Sequence, residues 1–325
     1  MLIVWDFGDT LTPMKYLVVF CLCLIGGLSG CTSQEEASTP YTRSEEIYGR
    51  TYGLALTLHV FTPRQNQNGA AIVVPMSEGW YSDEEMVERN IPIYIEALVA
   101  EGYTVFAVLH GSNPKFSIPE NIEQLHRAIR YVRYHAKRFG IDPERIGMTG
   151  DSAGGHLSLM LGCASEKGNF ESLDSIDRTS SEIQAAVAFF PPTDFLNFGE
   201  VGKQMLGEHP IVPLKGAFDF HRLNEKTNAL EAITDSAERV RIAQEISPLY
   251  HVHKGCVPTL LVVGDADVYI PPQQSKVMKE SLAKVGVPSD LVIYEGGKHD
   301  ATTIKENFGA TLAWFETYLL RQKSQ

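Results

Sequence analysis

Leu54, Leu56, Leu58 and Val60 recur at every second position, the period of a strand with one face on a core. Residues 71–74, Ala-Ile-Val-Val, follow as a short unbroken apolar run, which suits a strand covered on both faces. Runs of the same kind occupy residues 104–109, 145–149, 185–190, 258–263 and 291–294. Helical patterns lie between them. One covers residues 84–101 and ends at Gly102, where a left-handed cap fits. Another opens at Pro119, and its Ile122, Leu125, Ile129, Val132 and Ala136 recur at three and four until Gly140. Residues 153–163 make a helix of small residues, and 304–320 carry Phe308, Leu312, Phe315 and Leu319 on one stripe. Strands alternating with helices predict an α/β fold, a mostly parallel sheet with helices on both faces. The rhythm breaks at about 195–248, with a loop-rich piece (197–221), a polar helical pattern (228–245) and no strand-like run. So long an excursion predicts a small cap-like insertion over a site.

Composition changes this picture little. The chain has 325 residues, 44% hydrophobic and 21% charged, as in an ordinary soluble enzyme. Its formal charge of −12 argues against nucleic acid as a partner, since no basic stripe would neutralise phosphates. The N-terminus is unlike the rest. Met14-Lys15 leads into an apolar run, 16–25, too short for a span of about 20 residues but suited to a signal-peptide core. The ending Leu28-Ser29-Gly30-Cys31 resembles the bacterial lipobox. The resemblance implies a signal peptide over residues 1–30, with Met14 the expected true start, and a lipidated Cys31. A linker would fill 31–47, its residues 32–42 forming a polar tether. The expected location is the periplasmic or extracellular face of a membrane; an N-terminal transmembrane helix is the competing reading. Cys163 and Cys256 remain for the folded body, with no CxxC neighbour and hence no zinc or redox site. An oxidising compartment would allow one disulfide, but two separate buried thiols are the expectation.

Gly150-Asp151-Ser152-Ala153-Gly154 fits the pattern G-x-S-x-G. Composition alone produces it in roughly a tenth of chains this long, so its position carries the weight. It falls between a short strand and a helix of small residues, where a nucleophile elbow belongs. The turn is tight enough to strain the serine, and flanking glycines leave it room. The amide of Ala153, at the helix start, would face charge developing on a substrate. A serine hydroxyl needs a base, and in such a chain the order is Ser, acid, His. Gly264-Asp265-Ala266-Asp267 follows one late strand, and Gly296-Gly297-Lys298-His299 follows the last. Of ten histidines only His299 comes after the acidic turn, while Asp265 and Asp267 compete for the acid.

Together, the elbow with Gly155-His156, the Gly264-x-x-Asp267-x-x-x-Pro271 turn and the Gly-Gly-x-His loop resemble α/β-hydrolase esterases. The hormone-sensitive-lipase-like and feruloyl-esterase-like (BD-FAE) branches are the nearest, over residues 48–325. The resemblance implies an α/β-hydrolase fold and an acid three residues after the turn glycine, which is Asp267. His299 would serve as base and then acid, Ser152 would carry the acyl group, and neither metal nor organic cofactor would be needed. One departure stands out. Such esterases carry His-Gly-Gly-x-Trp after an early strand; here the stretch is Met76-Ser77-Glu78-Gly79-Trp80. The amides of Glu78 and Gly79, with that of Ala153, are the expected oxyanion donors. A Glu78 carboxylate would oppose an oxyanion unless turned away or paired. Trp80, Asp151, His110 and Asp194 are the pocket candidates, Asp194 having loop fixation as its competing role. The implied function is a serine hydrolase, a carboxylesterase acting on small-molecule or carbohydrate-linked esters. A prolyl-oligopeptidase-like peptidase and a catalytically silent binding protein are the rivals.

Overall fold

The computed structural model describes residues 39–208 and 213–321. The expected signal peptide, Cys31 and residues 32–38 of the polar tether lie outside the described residues. Eight strands form the main sheet: β1 (Tyr41–Thr51), β2 (Leu54–Pro63), β3 (Ala71–Pro75), β4 (Thr104–Val108), β5 (Ile146–Asp151), β6 (Ala185–Phe189), β9 (Thr259–Gly264) and β10 (Ser289–Tyr294). Their order is β1-β2-β4-β3-β5-β6-β9-β10, antiparallel at β1/β2 and β2/β4 and parallel elsewhere. This is the α/β-hydrolase fold.

Period-two packing divides the core. Val73, Phe106 and Met148 join Leu125, Ile129 and Val132 of helix Ile118–Tyr134 on one face. Ile72, Val74, Val105 and Val187 join Leu98, Phe315 and Leu319 on the other. Every residue of β3, β4 and β6 is buried, so helices cover both faces of the sheet centre.

The structure departs from the sequence expectations in several places; the final helix, for one, is Ala301–Glu306 and Phe308–Phe315 followed by a π-helical turn at Glu316–Leu320. The folded unit starts at Pro40, not at residue 48, because β1 occupies part of the presumed linker. β1 is an edge strand with polar, mostly exposed side chains, so it carries no apolar alternation. The helix expected over 84–101 is Glu84–Asn90 and Glu96–Ala100, joined by a π-helical turn at Ile91–Ile95. Pro92 accounts for the wider turn: it brings no N–H and its ring crowds the carbonyl four residues back. Within 195–248 a hairpin does occur, β7 (His221–Asn224) with β8 (Ala229–Ala232). Neither strand buries a face, which removes the pattern by which it would be read. The polar helix there is Ser236–Glu245, shorter than expected.

Lastly, Cys163 and Cys256 are joined in a disulfide, not separate thiols. It ties the end of helix Ser152–Cys163 to the approach of β9, across 93 residues of sequence. The folded body should therefore titrate no free thiol after denaturation until a reductant is added. Cys163→Ala paired with Cys256→Ala should lower stability by about 2–4 kcal/mol in urea unfolding.

Candidate active site

β5 runs into helix Ser152–Cys163 with no intervening loop, and Ser152 stands at the junction with φ +50°. A non-glycine residue in that region carries of order 1–3 kcal/mol of strain. Steric closeness explains the glycines. A β-carbon on Gly150 would lie 2.8 Å from the carbonyl carbon of Gly154, and one on Gly155 3.1 Å from the carbonyl oxygens of Gly150 and Phe189. Ala153 is buried at the helix start, where amides have no intrahelical acceptor.

The other two residues come from the loops after β9 and β10. His299 Nδ1 lies 2.8 Å from Asp267 Oδ2, and the Asp267 carboxylate is wholly buried. Its Oδ1 accepts from the amides of Tyr269 and Ile270 at 2.8 and 2.9 Å. With one oxygen saturated, the other is left to hold Nδ1–H, so Nε2 is the basic nitrogen. The competing Asp265 is exposed and accepts from the Gly296 amide at 2.7 Å, tying the acid loop to the histidine loop. Asp267, not Asp265, is thus the partner of His299. Phe190 lies against the imidazole with ring centroids 4.2 Å apart, and Tyr269 flanks it at 5.4 Å.

Ser152 and His299 line one cavity of about 350 Å³. Its remaining wall is mostly apolar: Trp80, Pro192, Met205, Leu214, Tyr269 and Ile270. Met205 and Leu214 come from the 195–248 stretch. Apart from Trp80, none of these six was legible as a site residue, because loops from distant parts of the chain bring them together without a motif.

The 76–80 loop differs from expectation. Glu78 N–H donates to the Tyr81 carbonyl at 3.0 Å, and Tyr81 N–H returns a bond to Glu78 at 2.9 Å. Gly79 and Trp80 form the two-residue turn between them, with φ +55° and +60°, the pattern of a mirror-image hairpin turn. The Glu78 amide is therefore consumed and cannot serve an oxyanion, whereas Gly79 lines the cavity. The Glu78 carboxylate is paired with the Arg89 guanidinium at 3.2 Å.

Trp80 is locked in its left-handed conformation by its surroundings. Its indole N–H donates to His156 Nδ1 at 3.2 Å, and its ring meets Phe195 and Phe218 edge-on. His156 Nε2 in turn donates to the Ile246 carbonyl at 2.6 Å. One buried imidazole thus joins the 76–80 loop, the nucleophile helix and the end of the insertion. Burial lowers its pKa to about 4, so it is neutral, as both bonds require.

The other candidates fall at different places. Asp151 lines the cavity, and Tyr94 donates to it at 2.9 Å; burial raises its carboxyl above the ordinary range, opposed by that bond. His110 is not on the cavity wall: Nε2 accepts from the Ser77 hydroxyl and Nδ1 donates to Gly111, both at 2.8 Å. Burial lowers its pKa also to about 4. Asp194 is likewise off the wall. It accepts from the amides of Leu196 and Asn197 and from the Asn197 side chain, which fixes its own loop.

A strained serine at a helix N-terminus, sharing a cavity with an Asp-oriented imidazole, is an arrangement for attack on a carbonyl carbon. Strand order, elbow and loop placement define the α/β-hydrolase class. The BD-FAE family model matches residues 58–282, and the chain belongs to that family. LipM of Mycobacterium tuberculosis, named a probable carboxylic ester hydrolase, is 26% identical over 252 residues, covering 75% of this chain and 53% of its own. The chain spans about half the length of the curated relatives it matches. Among solved structures, a truncated carbohydrate esterase from gut microbiota has a TM-score of 0.69 at 23% identity, over 87% of this chain and 98% of that one. Thermogutta terrifontis esterase 2 phosphonylated by sarin has a TM-score of 0.63 at 20% identity, over 86% and 96%. These two structural likenesses concern the fold.

His110 and His156 set an acid limit on stability. Their pKa is about 4 when folded, against about 6.5 when unfolded. The unfolded chain binds the extra protons between those values, so stability is full above pH 6.5 and falls as pH drops toward 4. Each imidazole accounts for on the order of 3 kcal/mol. Urea midpoints measured from pH 7.5 to 4 should show the decline, and His156→Phe, less stable at pH 7.5, should show a shallower one.

Proposed function

We propose that the chain is a serine carboxylesterase that cleaves small-molecule or carbohydrate-linked esters through an acyl-enzyme on Ser152. The single observation that carries this reading is the 2.8 Å bond from His299 to a buried Asp267, on a cavity that also holds Ser152. His299 Nε2 takes the serine proton as the hydroxyl attacks the ester carbon, and then protonates the departing alcohol. Water, deprotonated by the same nitrogen, releases the acid. The amides of Ala153 and Gly79 are the donors available to the tetrahedral oxyanion. Family membership and the ester-hydrolase names of the relatives support the reaction class; the carbohydrate esterase among the structural relatives supports sugar-linked substrates.

Export with a lipid on Cys31 is part of the same proposal. It rests on the lipobox-like ending at Cys31 and is supported by the Cys163–Cys256 disulfide, a bond favoured in oxidising compartments. The full chain expressed in a bacterial host with labelled palmitate should incorporate label, and Cys31→Ala should incorporate none. Label in both would sink the anchor.

The catalytic test uses the soluble body beginning at residue 32. A fluorophosphonate probe should label the wild type, and labelling should vanish in Ser152→Ala and His299→Ala. Asp267→Asn should lower kcat on p-nitrophenyl acetate by about 10⁴, while Asp265→Asn stays within tenfold. A folded wild type that neither reacts with the probe nor turns over an ester would leave the silent-binding reading standing. Turnover of peptides with no ester cleavage would favour the peptidase.

A further inference from the structure

A second cavity of about 200 Å³ abuts the first along Glu78, Asp151 and His299. Its own wall differs in chemistry. Arg89, Asn90, Asp300 and Ser77 line it, facing an apolar side made by Pro75, Ile93, Phe190, Ala301 and Ile304. Arg89 comes from helix Glu84–Asn90 and is steered by the Glu78 carboxylate at 3.2 Å, with Glu85 more distant at 3.9 Å. A guanidinium has five N–H donors, so donors remain for a ligand. Asn90 spends its amide N–H on the Met86 carbonyl at 2.8 Å, which turns its oxygen into the acceptor it can offer.

The direction of the reaction assigns the two lobes. Ser152 lines only the larger cavity, so the carbonyl carbon must sit there. The alcohol oxygen takes its proton from His299, which lines both. The acyl chain then occupies the apolar lobe, and the alcohol leaves past His299 into the polar one. We infer that the polar lobe is the alcohol subsite and that it takes a neutral polyhydroxy alcohol the size of one sugar ring, read by Arg89 and Glu78. At about 200 Å³ it has room for one such ring. Three carboxylates, Glu78, Asp151 and Asp300, line this lobe against one guanidinium, so an anionic alcohol is disfavoured while hydroxyl groups find both acceptors and donors. This inference rests on the esterase reading and narrows it.

The test compares two acetates with alcohols of similar ring size, methyl β-xylopyranoside monoacetate and cyclohexyl acetate, with p-nitrophenyl acetate as a check on turnover. Wild type should favour the sugar acetate in kcat/KM by at least about tenfold, the worth of one well-made hydrogen bond. Arg89→Met should lower that preference by about tenfold or more, chiefly through a raised KM for the sugar ester, and Arg89→Lys should recover part of it. A wild type that cleaves p-nitrophenyl acetate but shows no sugar preference overturns the subsite alone. So does an Arg89→Met variant that slows all three esters in equal proportion. Failure of wild type on every ester overturns the esterase reading, and this inference with it.

Discussion

The junction of β5 with its following helix sets the terms for the rest of the fold. Strand and helix meet without a spacer, which brings the helix onto the sheet close enough that a β-carbon would clash at 150 and be crowded at 155. Every residue from Ala153 to Cys163 is buried as a result. That burial fixes where the neighbouring strands end, and those strand ends deliver the acid and the histidine. The acid loop after β9 and the histidine loop after β10 approach so closely that a β-carbon on Gly264 would sit 2.2 Å from Gly297. The same closeness that strains Ser152 therefore gathers its partners.

Half of the strained non-glycine residues border the candidate site. Of the six with positive φ among those described, Trp80, Ser152 and Phe190 border the two cavities, Tyr52 and Asn228 close strand turns, and Asn66 lies in the loop between β2 and β3. Such conformations persist only when packing over-determines them. Trp80 and Phe190 are both almost fully buried, each with about 1.5–3 kcal/mol of apolar burial to set against its strain. For Trp80 the hydrogen bond to His156 adds direction, since a neutral imidazole accepts at one nitrogen only.

Much of this was legible in the residues. The strands that showed as unbroken apolar runs lie within the sheet, and the elbow glycines, Ser152 and His299 announced themselves by type and position. What escaped had a physical reason. β1 and the β7–β8 hairpin bury too little to show a period, and the polar segment before Tyr48 looked like a tether for that reason. The pairing of Cys163 with Cys256 depends on a meeting of chain ends that sequence spacing does not encode. Asp265 and Asp267 are chemically alike, and only the burial of one and the exposure of the other separate them. The consumption of the Glu78 amide was invisible because it follows from a backbone turn, and a tryptophan at φ +60° is not what such a turn advertises.

The 76–80 loop also explains how a carboxylate is tolerated beside an oxyanion site. The hairpin turn spends the Glu78 amide on Tyr81, and Arg89 holds the Glu78 side chain. The negative charge is thereby compensated by a cation from helix Glu84–Asn90, whose neighbouring turn is the π-helical one around Pro92. Removing Arg89 alone would leave the exposed Glu78 carboxylate without its cation, next to an Asp151 carboxyl that Glu78 already pushes upward. Glu78 and Arg89 thus form a pair in which the carboxylate aims the guanidinium. Under the proposed reading, substrate choice is located away from the triad. Its candidates are an ion pair that borders one lobe and the insertion residues Met205 and Leu214 that border the other.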